Sequence, residues 1–214
     1  MIATVCHRVS KVATKPWSIL IQPASAPAAA VSLVQVLTFT PCDEPLTRSP
    51  TKNMLSESAA NDDPPAIFGF YSVMELDEVG FCGGFLVLNE IGRPLEFHCT
   101  LPVKPERSQQ ILYGKSLRNF LYSEHIGPPL VHKARNRATI VLVNQSESIE
   151  LGRHIEAEVA LVTPRENDTP EILGANVNVA ARCRQAAGFD LQEPFERIAA
   201  AIDEANSVTR QDVK

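Results

Sequence analysis

Three side chains stand out for their chemistry: the thiol of Cys82, the carboxylate of Glu96 and the imidazole of His98. An imidazole beside a thiol takes its proton and makes a nucleophile, and a carboxylate on the far ring nitrogen orients the base. Their spacing allows this if the segments around them fold back on each other. With a three-residue loop closed by Gly92, Phe85 falls opposite Phe97, Val87 opposite Leu95 and Phe81 opposite Leu101. Cys82 then lies opposite Thr100 and diagonal to His98, on the face away from the phenylalanines. The competing reading is a space-filling thiol beside a half-buried histidine, because free cysteine is among the most buried residue types. In the same register Cys99 belongs to the other face, so neither a Cys82–Cys99 disulfide nor a two-thiol metal site is expected.

Other groups carry less. His125, His132 and His154 have no metal-ligand spacing, and the cysteines form no C-x-x-C pair, so no metal and no cofactor are expected. Gly80, Gly83 and Gly84 lead into a strand rather than a helix, unlike a phosphate loop. They are expected to mark a bulge or a close backbone approach by a peptide or a second subunit. Lys133, Arg135 and Arg137 form a basic cluster able to touch phosphate, but without interleaved aromatics it reads first as a solvated face.

These groups must be positioned by a domain running from residue 66 to residue 214. Its expected class is α+β, with an antiparallel sheet opened by a three-stranded meander over about residues 68–101. Phe68 to Leu76, Phe81 to Asn89 and Arg93 to Leu101 are rich in aromatic and aliphatic residues and are separated by glycine-containing turns. Glu106 to Tyr113 reads as a short helix weakened by Gly114. Ser116 to Ile126 reads as a second helix, stopped by Pro128 and Pro129. Thr139 to Val143 and Glu158 to Thr163 read as strands, whereas Pro164 to Phe189 has no legible pattern. Phe195, Ile198, Ile202 and Ala205 recur at helical spacing behind Pro194, which predicts an amphipathic C-terminal helix docked on the sheet.

Residues 1–65 differ. Up to Asn53 there are five cations against two carboxylates, a net of +3, which leaves −8 for the remainder of a chain whose total is −5. Six prolines between Pro16 and Pro50 predict a disordered or mis-annotated extension, with Met54 as the true start. A secretory signal fails because the apolar run Trp17 to Ile21 is too short, and an organellar transit peptide is opposed by the prolines.

The stretch Gly83-Gly84-Phe85-Leu86-Val87-Leu88-Asn89, then Gly92-Arg93-Pro94-Leu95-Glu96-Phe97-His98, then Leu101-Pro102-Val103 and Gln110-Ile111-Leu112-Tyr113-Gly114 resembles a family of uncharacterised bacterial proteins. That family carries a G-R-P-[LI]-E-F-H and I-L-Y-G wording over at most about residues 80–165. The resemblance implies no activity for any residue.

Composition limits the function. A 44% apolar, 21% charged chain of 214 residues can build its own core without disulfides. Five scattered cysteines then read as reduced thiols in the cytoplasm. The acidic balance speaks against general nucleic-acid binding. No apolar stretch reaches the roughly 20 residues that span a bilayer, so no membrane partner is expected. The leading expectation is a non-enzymatic interaction or regulatory module, one form of which self-associates through a sheet face or edge. The first alternative is a thiol-dependent enzyme using Cys82 and His98, and the second is weak nucleic-acid or phosphate binding through Lys133 to Arg137.

Overall fold

Strand pairing organises the molecule. A computed structural model describes residues 17–21, 36–41, 67–77, 79–163, 171–173, 181, 183 and 190–211. The strands are β1 (Trp17–Ile21), β2 (Val36–Pro41), β3 (Phe68–Leu76), β4 (Gly80–Leu88), β5 (Pro94–Thr100), β6 (Ile140–Val143), β7 (Glu158–Thr163) and β8 (Glu171–Leu173). They join one sheet in the order β1-β2-β5-β4-β3-β6-β7-β8. The α+β class holds, but the sheet is mixed rather than antiparallel: β6 runs parallel to β3, and β7 runs parallel to β6. A long helical crossover between β5 and β6 brings the chain back to the same end of the sheet, which a parallel pair requires. Burial of all four side chains of β6 follows from cover on both faces.

The meander is present, and its second turn is the three-residue loop expected, with Gly92 at φ +73° and Asn89 N–H bonded to the Arg93 carbonyl at 3.0 Å. Its register departs from expectation one residue further on. Leu88 pairs with Pro94, but Val87 then pairs with Glu96, leaving Leu95 as an extra bulged residue. Pro94 has no N–H to give to a ladder, and proline inside a sheet is confined to such irregular or edge positions. The bulge reverses every later side chain of β5 relative to β4. Phe97 therefore faces away from Phe85: it packs with Phe70, Cys82, Leu86 and Cys99, whereas Phe85 packs with Tyr71, Val73, Phe81 and Val87 on the other face.

Each face has its own cover. The C-terminal helix lies on the Phe97 face through Phe195, Ile198 and Ile202. The helical crossover lies on the Phe85 face through Leu121, Tyr122, Ile126 and Leu130. That crossover contains α1 (Arg107–Tyr113), a 3-10 turn, α2 (Leu117–Asn119), a π-helical stretch (Phe120–Ile126) and α3 (Gly127–Lys133). Pro128 and Pro129 do not stop it. The π turn spaces its hydrogen bonds five residues apart, with Gly127 N–H reaching the Tyr122 carbonyl, so the prolines enter at the first positions of α3 where no N–H is needed. The C-terminal helix, α4 (Glu193–Gln211), matches the periodicity of its apolar residues.

β1 and β2 lie inside residues 1–65, where the prolines predict disorder. They occupy runs between prolines: β1 starts just after Pro16, and β2 ends on Pro41. β2 pairs with β5 from Val36–Thr100 to Phe39–Phe97. The other residues of that segment, Met54 included, lie outside the described residues, as do most of 164–189.

Candidate functional site

The bulge at Leu95 decides what chemistry β5 can support. In a strand, residues two apart share a face, so Glu96, His98 and Thr100 alternate with Phe97 and Cys99. Glu96 and His98 do meet, with His98 Nε2 3.0 Å from Glu96 Oε2 and both side chains 1% exposed. On the other side of the ring, His98 Nδ1 is 3.0 Å from the hydroxyl of Thr38, its cross-strand neighbour on β2. The arrangement that satisfies every atom has His98 Nε2–H donating to the carboxylate and Nδ1 accepting from Thr38 O–H.

Glu96 collects further donors from the turn after α3. The Asn136 N–H reaches Oε1 at 2.5 Å, its side-chain amide reaches the same oxygen at 3.0 Å, and the Arg135 N–H reaches Oε2 at 3.2 Å. Burial alone would raise this carboxyl's pKa. The bonds from His98, from the two backbone N–H groups and from the Asn136 amide outweigh it and bring Glu96 down to about 2. A buried carboxylate with this many donors is ionised and fully satisfied, so it holds β5 to the turn between α3 and β6.

Cys82 is not part of this group, and the Cys82–His98 juxtaposition expected from the hairpin does not occur. Cys82 packs with Leu86, Phe97 and Cys99 on the opposite face, and its Sγ–H donates to the Thr100 carbonyl at 2.9 Å. Burial raises its pKa, only partly offset by hydrogen bonds from Thr100 and Asn206. Cys99 shares that face, contrary to the expected register. Burial, with the neighbouring Cys82, pushes its thiol up to about 12. Cys183 joins the same cluster, and all three thiols are unbridged. High thiol pKa values mean little thiolate at neutral pH, the reverse of a reactive cysteine. Among the described residues no group of three or more His, Cys, Asp or Glu side chains is arranged to hold a metal ion.

The expected basic cluster is divided by its neighbours. The backbone of Arg135 is spent on Glu96, while Arg137 pairs across the surface with Glu156 at 3.3 Å. Lys133 ends α3 one turn earlier. Arg118 is paired with Glu75 at 2.6 Å.

The glycines of β4 serve packing rather than an open backbone. A Cβ on Gly83 would overlap Ile126, and one on Gly84 would lie 2.5 Å from Ile198 Cγ2. The two residues thus let the crossover and α4 approach β4 from opposite faces, so no strand or peptide can be laid over them. Gly80, at φ +121°, abuts the backbone of Val103, which bridges to Phe81.

A different feature appears on the surface. Helix α1 contains no buried residue. Its last turn presents Ile111 at 66%, Leu112 at 83% and Tyr113 at 38% exposure. Tyr113 stacks on Phe120 at 4.2 Å, and Phe120 stacks in turn near His125 at 5.9 Å, which anchors the tip to the π-helical stretch. In sequence the stretch reads only as a short helix weakened by Gly114. The available signal is an adjacent Ile-Leu pair without apolar partners three or four residues away: Arg107, Ser108, Gln109, Gly114, Lys115 and Ser116 occupy those places.

Hydroxyl, imidazole and carboxylate do stand in the order used by nucleophilic hydrolases. Here, however, both ring nitrogens are consumed within the sheet, and the imidazole and carboxylate are closed to solvent. The network acts as a clasp among β2, β5 and the turn after α3. No family model matches the chain, and no curated protein matches it.

Proposed function

We propose that this protein is a non-enzymatic docking module that works through the exposed tip of α1. The observation carrying this reading is a helix with no buried side chain that ends in two largely exposed aliphatic residues, Ile111 and Leu112. Two adjacent aliphatic side chains left largely in water beside the half-exposed Tyr113 make an apolar end to the helix, and exposed apolar surface rimmed by polar residues marks interaction sites. The reading is supported by the fate of the competing chemistry, since the thiols of Cys82, Cys99 and Cys183 lie in the core and the His98 imidazole is locked to Glu96. Self-association through a sheet face, one form of the original expectation, is disfavoured because α4 covers one face and the crossover covers the other. Edge pairing at β1 or β8 is left as a weaker route.

A cytoplasmic location belongs to the same proposal, supported by the three unbridged thiols. Among the described residues no helix is long and apolar enough to cross a membrane.

The test places a photo-crosslinking amino acid at position 112 of the full-length protein in cells. A discrete adduct, protein or lipid, formed from position 112 and not from the exposed control position 153, is the expected result. Equal labelling from both positions, or none from 112, overturns the proposal.

A further inference from the structure

Resting on the docking role of α1, we infer that its partner is an anionic lipid surface, which the tip enters from the side without spanning it. The shape of the tip selects this partner. Successive helical residues are turned by about 100°, so Ile111 and Leu112 diverge instead of forming a stripe. A helix laid in a protein groove needs apolar anchors at i, i+3 or i+4, and i+7. Counting forward from Ile111 and Leu112, those positions hold Gly114, Lys115, Ser116, Arg118 and Asn119. The space beyond the pair is open as well, since a Cβ on Gly114 would meet nothing within 4 Å. A deformable apolar phase can close around two diverging side chains, which lack the stripe of anchors a rigid groove reads.

Charge supplies the second argument. Residues 104–118 carry Lys104, Arg107, Lys115 and Arg118 against Glu106; Arg118 is neutralised by Glu75, which leaves a net of +2 around the tip on a chain whose total is −5. Glu106 is occupied as the cap of α1, its carboxylate facing the helix start while its backbone N–H is held by Gln109 at 2.9 Å. Arg107 and Lys115, both exposed, flank the aliphatic pair in sequence. Apolar residues flanked by cations fit the boundary between acyl chains and anionic headgroups. Two copies meeting tip to tip would instead bring these cations together, so a second copy is the poorer partner. Tyr113 stands where an amphipathic ring is favoured, at headgroup depth.

The experiment is flotation of the full-length protein with vesicles of phosphatidylcholine, with and without phosphatidylserine. Binding is expected to the anionic vesicles only. It should fall at least about tenfold in Leu112→Asp and roughly fivefold in each of Arg107→Gln and Lys115→Gln, since each cation near an anionic surface contributes on this scale. It should also collapse as salt rises from about 0.1 to 1 M, where the screening length shortens from about 10 to 3 Å. Unchanged urea midpoints in these variants show that the fold is intact. Equal binding to both vesicle types, equal binding by Leu112→Asp, or no binding at all overturns the lipid assignment. If flotation fails while position 112 still crosslinks to a protein, the docking role stands and the partner is proteinaceous.

Discussion

Substituting Glu96 by Gln probes the clasp directly. The carboxyl sits at about 2, against an ordinary value of 4.5. A difference of that size corresponds to about 3 kcal/mol of folded-state stabilisation. Glutamine keeps one acceptor oxygen but turns an NH2 toward donors that the carboxylate now satisfies, so the loss at pH 7 should be about 3 kcal/mol. The pH dependence has a definite sign. A group whose folded pKa is depressed stabilises fully above its unfolded value and loses that contribution as pH falls through the folded value. The gap between wild type and Glu96→Gln should therefore be widest near neutrality, fall by roughly half at pH 3 and come close to its uncharged residue at pH 2. Urea unfolding followed by circular dichroism at pH 7 and pH 3 measures both gaps. A gap below about 1 kcal/mol at pH 7, or one that does not narrow at pH 3, refutes the ionised, donor-saturated clasp.

Two other perturbations test the packing. Gly84→Ala places a methyl 2.5 Å from Ile198 and 3.1 Å from Ile202, and overpacking of this kind should cost about 1–3 kcal/mol in urea unfolding; a neutral outcome would mean that α4 does not seat against β4. Cys82, Cys99 and Cys183 should resist a thiol reagent at pH 8 in the native protein and react together on unfolding, as read by mass spectrometry of digested peptides. Rapid native labelling of Cys82 would reopen the thiol chemistry that its burial argues against.

Much of the scaffold was legible because it rests on local rules. Gly92 and the apolar runs around it specify the hairpin, and the spacing of Phe195, Ile198 and Ile202 specifies α4. The candidate site was less legible because it depends on one extra residue. Leu95 looks like an ordinary strand residue, and only the missing N–H of Pro94 hints that the ladder slips there. That slip separates Cys82 from His98 and joins Cys82 to Cys99. Thr38 was out of reach for another reason: its partner lies 60 positions away, in a segment whose prolines masked a short strand. The parallel placement of β6 and β7 was hidden because strand direction depends on the long crossover. Helix α3 was missed because a π turn moves Pro128 and Pro129 to positions where they do no harm. Glu96 and His98 were paired correctly because residues two apart in a strand share a face in any register.

The tip of α1 is assigned to docking rather than to stability, and these roles separate in the double variant Ile111→Ser/Leu112→Ser. Retention of wild type and variant on native cell material should be measured alongside their urea midpoints. Exposed side chains of this kind should change stability by no more than about 0.5 kcal/mol, while retention should drop at least about tenfold, the effect of roughly 1.4 kcal/mol. Equal retention, or a loss of stability beyond about 1 kcal/mol, would mean that Ile111 and Leu112 serve the fold and not a partner.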